Sequence, residues 1–286
     1  MYTAQIKNSN VESLDLTQNE ANWQVLSITG LNPAPAQINT TNIAGLDGAR
    51  FNSSKLNTKN IVIMLRINGD VETNRQNLYR FFKTKDNCTF YYANTNRNVS
   101  IDGYVETVEC NLFSNSEIMQ ISILCPFPYF KALEEILVDI SNETAAFTFP
   151  FSINENEPIP FSDYIDNRIT NIVNRSESET GVKITIDVFN SVEEIVIRKV
   201  DTGETITLNY SFLAQDRIII ETQRGQKSII LIRTAVKTNL FSAMKKGSVL
   251  FQLTPGSNHF GYSIDDGAGD ADVDINFSYS ALYRGV

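Results

Sequence analysis

The chain has 286 residues, with 24 Lys and Arg against 33 Asp and Glu, giving a formal net charge of -9. That balance excludes a protein that meets nucleic-acid phosphate with a basic surface, and a polybasic membrane anchor. A single histidine and three cysteines leave few routes to metal or nucleophilic chemistry, while the length suffices for about two domains without covalent staples.

The N-terminal segment lacks the basic and apolar regions of a secretory signal, so folding in a reducing cytoplasm is expected. Short strands are predicted at Tyr2–Ile6, Gln24–Ile28, Ile61–Ile67, Thr89–Tyr92, Val99–Val108 and Glu117–Leu124, separated by Asn-, Thr- and Ser-rich turns. Residues 33–60 have little periodicity and read as a polar loop with turns at Pro33–Pro35 and Gly45–Gly48. One helix is predicted from Asp70 to about Lys83. Asp70 is its N-cap, and Val71, Leu78, Phe81 and Phe82 form one apolar face directed at a core. The first half is therefore α+β.

Leu133, Ile136, Leu137 and Ile140 have helical spacing, yet the segment 132–140 is short, and helix and strand both remain open there. Beyond it come alternating strands at Val182–Val188, a hairpin of Ile195–Val200 and Thr205–Tyr210 turning at Asp201–Gly203, and a second of Arg217–Thr222 and Lys227–Arg233. Further strands are predicted at Val249–Leu253, His259–Ile264 and Val273–Tyr279. The regular spacing predicts an antiparallel β-sandwich. The division falls at 1–131 and 132–286. Residues 1–130 hold 10 basic and 11 acidic side chains and the remainder 14 and 22, so the nearly neutral half is the better candidate for close self-association.

No catalytic, cofactor or metal site is expected. Cys88, Cys110 and Cys125 are spaced 22 and 15 apart, which fits no zinc or redox motif; buried free thiols are expected. His259 follows a turn in Pro255–Phe260 and needs no catalytic role. Neither a nucleophile elbow nor a phosphate loop occurs. The acidic run Asp265, Asp266, Asp270, Asp272 and Asp274 lacks calcium-loop spacing, and the neighbouring carboxylates Glu134–Glu135 and Glu193–Glu194 carry no glycosidase signal.

Three groups of residues make the sequence specific. Ile101-Asp-Gly-Tyr-Val-Glu106, Phe113-Ser114 and Gln120-Ile-Ser-Ile-Leu-Cys-Pro-Phe-Pro-Tyr-Phe130 occur in order. Before them come Ser27-Ile-Thr-Gly-Leu31, Asp47-Gly-Ala49, Asn60–Leu65 and Asn77–Phe82. After them come Phe149-Pro-Phe151, Thr202-Gly-Glu204, Asp216-Arg-Ile218, Leu253–Asn258 and Tyr283-Arg-Gly-Val286. The ordered set resembles the siphophage distal tail protein family over nearly the whole chain, with Val236–Gly247 richer in lysine than the pattern. The resemblance implies a non-enzymatic phage tail or baseplate hub component. It implies a homo-hexameric ring made by the N-terminal domain and a C-terminal galectin-like sandwich displayed outward. The partners would be the tail tube protein and the tail tip proteins. The location would be the virion tail, or a phage-tail-like bacteriocin particle, assembled in the host cytoplasm. It also implies that the segment at 33–60 embraces a neighbouring subunit. The alternative is a carbohydrate-binding module that touches the host wall through the C-terminal sandwich.

Overall fold

The computed structural model describes residues 2–17, 22–45, 47–112, 114, 116–139, 143–145, 162–164, 169–264 and 273–286. Phe113, Phe149–Phe151, Ile140, and Asp265, Asp266, Asp270 and Asp272 of the acidic run lie outside the described residues. The protein is mainly β, with one α-helix among the described residues, and its chain divides into two compact units, residues 1–134 with 282–286, and residues 135–281. The second unit is thus an insertion in the first. Residues 282–286, which the sequence division put with the C-terminal domain, lie in the first unit.

The first unit contains β1 (Thr3–Asn8), β2 (Ser13–Asp15), β3 (Trp23–Thr29), β4 (Ala36–Asn42), β5 (Ala49–Leu56), β6 (Lys59–Ile67), α1 (Val71–Phe81), β7 (Asn87–Ala93), β8 (Asn98–Cys110), β9 (Ile118–Cys125) and the start of β10 (Phe130–Asp139). The segment at 132–139 is strand. The antiparallel order is β3-β6-β9-β8-β7-β1-β2. Strand β8 serves three neighbours: residues 98–104 pair with β7, residues 104–110 with β9, with a register shift between Val105 and Thr107, and Val99 and Ser100 with the start of β10. Gly103 stands at this bend because a Cβ there would come within 2.7 Å of Ile123 Cγ2 and 2.9 Å of Cys125 Sγ.

Alternation decides which residues enter the core. Ile61, Ile63, Leu65 and Ile67 of β6 point inward and meet Ile121 and Ile123 of β9 and Val99, Ile101 and Val105 of β8. Helix α1 closes this core. Asp70 accepts from the Thr73 N–H, as an N-cap should, and Glu72 lies in the first turn. Leu78 and Phe82 are buried, and Val71 and Phe81 pack at the margin. The Asn74 amide, unforeseen in the apolar stripe, is also buried and donates to the Asn68 carbonyl at 2.7 Å. Because Leu78 is only 1% exposed, Leu78→Ala is expected to cost about 2–5 kcal/mol. Denaturant titration checks this, and a loss below about 0.5 kcal/mol would contradict the packing.

The second unit contains β11 (Glu143–Ala145), β12 (Ser162–Tyr164), β13 (Thr170–Asn174), β14 (Lys183–Val188), β15 (Val192–Lys199), β16 (Thr205–Phe212), β17 (Arg217–Glu221), β18 (Ser228–Arg233), β19 (Val236–Asn239), β20 (Gly256–Ile264) and most of β21 (Val273–Tyr283). Strands β14, β17, β18, β19 and β21 lie in one antiparallel sheet, and β13-β20-β15-β16 make another. Their inward residues share one core, with Ile184 and Ile186 of β14, Ile195 and Ile197 of β15, Phe260 of β20 and Phe277 of β21. The predicted hairpins at Asp201–Gly203 and Gln223–Gln226 form. Val249–Leu253 is not a strand. Its amides go to separate partners, Val249 to the Thr205 carbonyl and Leu253 to Thr180, so no ladder develops. The lysine-rich stretch after Val236 forms β19 and a short 3₁₀ turn at Phe241–Ala243.

Candidate assembly surface

Strands β4 and β5 form a hairpin from Ala36 to Leu56, where a polar loop was expected. Every described residue of the two strands is exposed except Leu56, including Ile38 at 63% and Phe51 at 60%. Ile43, in the connecting turn, is exposed as well. A two-stranded hairpin with no buried face is marginally stable alone. This one is tied by a ladder from Ala36↔Leu56 to Asn42↔Ala49 with a register shift between Asn39 and Thr40, by Asn39–Ser53 and Thr41–Asn52 side-chain bonds, and at its base by the Asn57 N–H on the Pro35 carbonyl at 2.9 Å. Among the described residues neither strand pairs with a third, so the hairpin offers two open strand edges and three exposed apolar side chains, which suit pairing with another polypeptide.

A further open edge lies beside it in sequence. Among the described residues β3 pairs with β6 alone, so its other edge is unpaired, and Leu26 on it is exposed. The strand carries a register shift between Val25 and Ser27.

The groups screened for chemistry fall apart spatially or are engaged. His259 meets Asp201 twice: its Nδ1 is 2.8 Å from Oδ1 and its backbone N–H donates to Oδ2 at 2.7 Å. These bonds, the backbone one first, hold the Asp201 carboxyl below its ordinary range. Among the described residues no hydroxyl or thiol is hydrogen-bonded to His259, so the pair fastens a hairpin turn to β20. Glu135 accepts from the Ser278 hydroxyl at 2.6 Å and Glu194 pairs with Lys245 at 3.2 Å, on separate strands. Asp274, the one described member of the acidic run, accepts from Asn276 at 2.8 Å. Among the described residues no three His, Cys, Asp or Glu side chains group as metal ligands.

Cys88 and Cys125 are buried and Cys110 is half-buried, each as a free thiol. Burial pushes the Cys88 and Cys125 thiols up to about 12 from an ordinary 9.0. Neutral thiol is therefore the native form at pH 7. Labelling with a thiol-reactive probe is expected to be negligible at Cys88 and Cys125 in the folded chain and complete at three positions after unfolding. The sign of the pH effect follows: above about pH 9 the unfolded thiols ionise while the buried pair cannot, so these two residues make stability fall as pH rises. Fast native labelling of Cys125, or a stable disulfide, would contradict this.

A polar concavity of the second unit lies between the turns at Leu213–Asp216 and Thr234–Ala235. Asp187 pairs with Arg217 at 2.6 and 3.0 Å, and Asp216 with Arg233 at 2.7 Å through Nε. Gln215, Thr234 and Ala235 all have positive φ there. The two guanidinium groups are already engaged, and none of the lining residues is aromatic.

Two family models match this chain. The phage tail protein RIFT-related domain matches residues 12–125, and the siphovirus-type tail component, C-terminal domain, matches residues 175–280. No curated protein matches. Solved structures do. One is the Dit (gp 19.1) protein of phage SPP1, described as a paradigm of the hub adsorption apparatus in phages that infect Gram-positive bacteria. It has a TM-score of 0.69 at 13% identity, over 97% of this chain and 98% of that one. Chains of the phage P2 baseplate in its activated conformation also match. The calcium form has a TM-score of 0.57 at 14% identity and the strontium form 0.56 at 13%, each over 98% of this chain and 99% of the other. At such identities these likenesses carry the fold, and the two tail-domain models, matched in order along one polypeptide, carry the lineage: the chain belongs to the siphophage distal tail protein family and is a structural tail component.

Proposed function

We propose that this protein is a hub that closes a homo-hexameric ring and joins the tail tube to the host-binding tip or baseplate. The first unit makes the ring. The second unit, a galectin-like sandwich, is displayed outward. The observation that carries this reading is the β4–β5 hairpin, an ordered arm with almost no buried residue and with Ile38, Ile43 and Phe51 facing solvent. In a head-to-tail ring each subunit presents one surface and receives another, and an arm that reaches the next copy is such a surface. The SPP1 relative is described as a hub and the P2 relatives as baseplate, which supports the same position here. The net charge of -8 beyond residue 130 opposes crowding of the second units and favours an outward display. The particle would be a virion tail or a tail-like bacteriocin, assembled in the host cytoplasm.

Contact with host-wall carbohydrate through the second unit is the other reading. The concavity beside Arg217 and Arg233 is the observation in its favour, but its charged groups satisfy one another and none of the residues lining it is aromatic. The structural hub is therefore the conclusion. The test compares residues 1–134 joined by a short linker to 282–286 with residues 135–281 alone, by negative-stain imaging. Rings from the first and monomers from the second are the expected result. Oligomers from the second with monomers from the first would reverse the assignment.

A further inference from the structure

The arm is an unsupported lever, so its direction depends on its root. The root has two limbs, Leu31–Pro35 entering β4 and Asn57–Lys59 leaving β5. Three separate contacts bind the first limb to residues 283–286. The Val286 N–H donates to the Leu31 carbonyl at 3.2 Å. Gly285 lies flat against Pro33, so close that a Cβ on it would sit 3.0 Å from Pro33 Cδ and 3.1 Å from the Leu31 oxygen. Lys59 joins all the parts: its ammonium donates to the Asn32 carbonyl at 2.6 Å and to the Arg284 carbonyl at 2.9 Å.

Lys59 is only 2% exposed, and no carboxylate is bonded to its ammonium. Its third neighbour is the Phe130 ring, with Nζ 4.5 Å from the centroid. A buried ammonium is costly unless its donors are occupied. Here main-chain oxygens occupy them, so the side chain is saturated only while both limb one and Arg284 are in place. The far side of the 283–286 segment is pinned too. The Arg97 guanidinium lies 4.4 Å over the Tyr283 ring and donates to the Gly285 carbonyl.

We propose that residues 283–286, through Lys59, are a clamp that fixes the direction of the β4–β5 arm for docking on a second copy of this chain. The inference rests on the reading of the arm as an inter-subunit contact. A pre-set root lowers the ordering cost of association, so the clamp acts on affinity and not on the core. Lys59 and Arg97 are positioning residues, as neither lies on the arm.

Two full-length variants test this. Lys59→Met keeps the unbranched stem and removes the charge. Gly285→Val keeps every hydrogen-bonding group and drives a wedge against Pro33. Hydrogen–deuterium exchange, read peptide by peptide, is compared with the size distribution of the assembly. Both variants are expected to raise exchange at the Val286 amide, which donates to the Leu31 carbonyl, and at the Asn57 amide, which donates to Pro35, by about ten-fold or more, with α1 amides unchanged, and to weaken self-association by a similar factor. Unchanged exchange at the root overturns the clamp. So does an equal rise over β6 and α1, because the contacts would then be general packing. So does undiminished association by a variant whose root exchanges freely. If the unmodified chain never self-associates, the ring reading fails by itself, and exchange at Val286 and Asn57 alone then decides whether residues 283–286 order the root.

Discussion

Removing the arm is expected to abolish self-association while leaving the fold standing. Ala36 and Leu56 are directly paired at the base of the hairpin, so an Asn-Gly turn can replace residues 37–55 without moving either limb. The deleted residues are exposed wherever they are described, so the loss of stability should stay within about 1 kcal/mol. The loss of contact is large by comparison. Ile38, Ile43 and Phe51 go together with two strand edges, and an interface of ordinary size is built on a few such anchors. Size-exclusion chromatography with light scattering and a parallel thermal melt would read both effects. Persistence of the oligomer would show that the ring closes through other surfaces.

The second large effect is expected at Gly30. Its φ is +86°, in the left-handed region, and a Cβ there would stand 1.9 Å from the Asn60 carbonyl oxygen and 3.0 Å from the Ile61 Cα. Both obstacles are backbone of β6, which is paired on both sides by β3 and β9, and cannot rotate away. Gly30→Ala therefore combines a strained backbone with a forced displacement of β3 from β6, and about 2–4 kcal/mol of destabilisation is expected. Gly48, also at positive φ, has nothing within 4 Å of its would-be Cβ, so Gly48→Ala bears the conformational cost alone. The difference between the two variants in denaturant midpoint isolates the clash. Equal costs would contradict the close approach at Gly30.

Much of the architecture was legible because buried faces write a period into the sequence. Ile61, Ile63, Leu65 and Ile67, or Ile184 and Ile186, alternate with residues that are less buried, and α1 shows its cap and its stripe. The arm was not legible for the converse reason. A hairpin with no buried face has no apolar alternation, and β4 and β5 read as polar loop. The hairpin of β18 and β19 turns on Thr234-Ala235, both at positive φ, without the Asn-Gly or Asp-Gly signal that such a turn ordinarily shows. Val249–Leu253 has the apolar run of a strand, yet Leu250, Phe251 and Leu253 fill the core from an irregular segment.

The candidate site was half visible. The resemblance at 33–60 drew attention to an inter-subunit element, and composition alone gave only a loop. The root of that element was invisible. In the sequence, Tyr283-Arg-Gly-Val286 falls in the second domain and Lys59 in the polar loop of residues 33–60. What unites them are contacts across 225 residues of sequence, such as Lys59 with the Arg284 carbonyl, and no local period encodes these.

The central claim is the ring, and its mass tests it most directly. Native mass spectrometry of the full-length chain at micromolar concentration is expected to give one dominant species at six times the monomer mass. A chain that stays monomeric throughout that range, or stops at a dimer, would contradict the account.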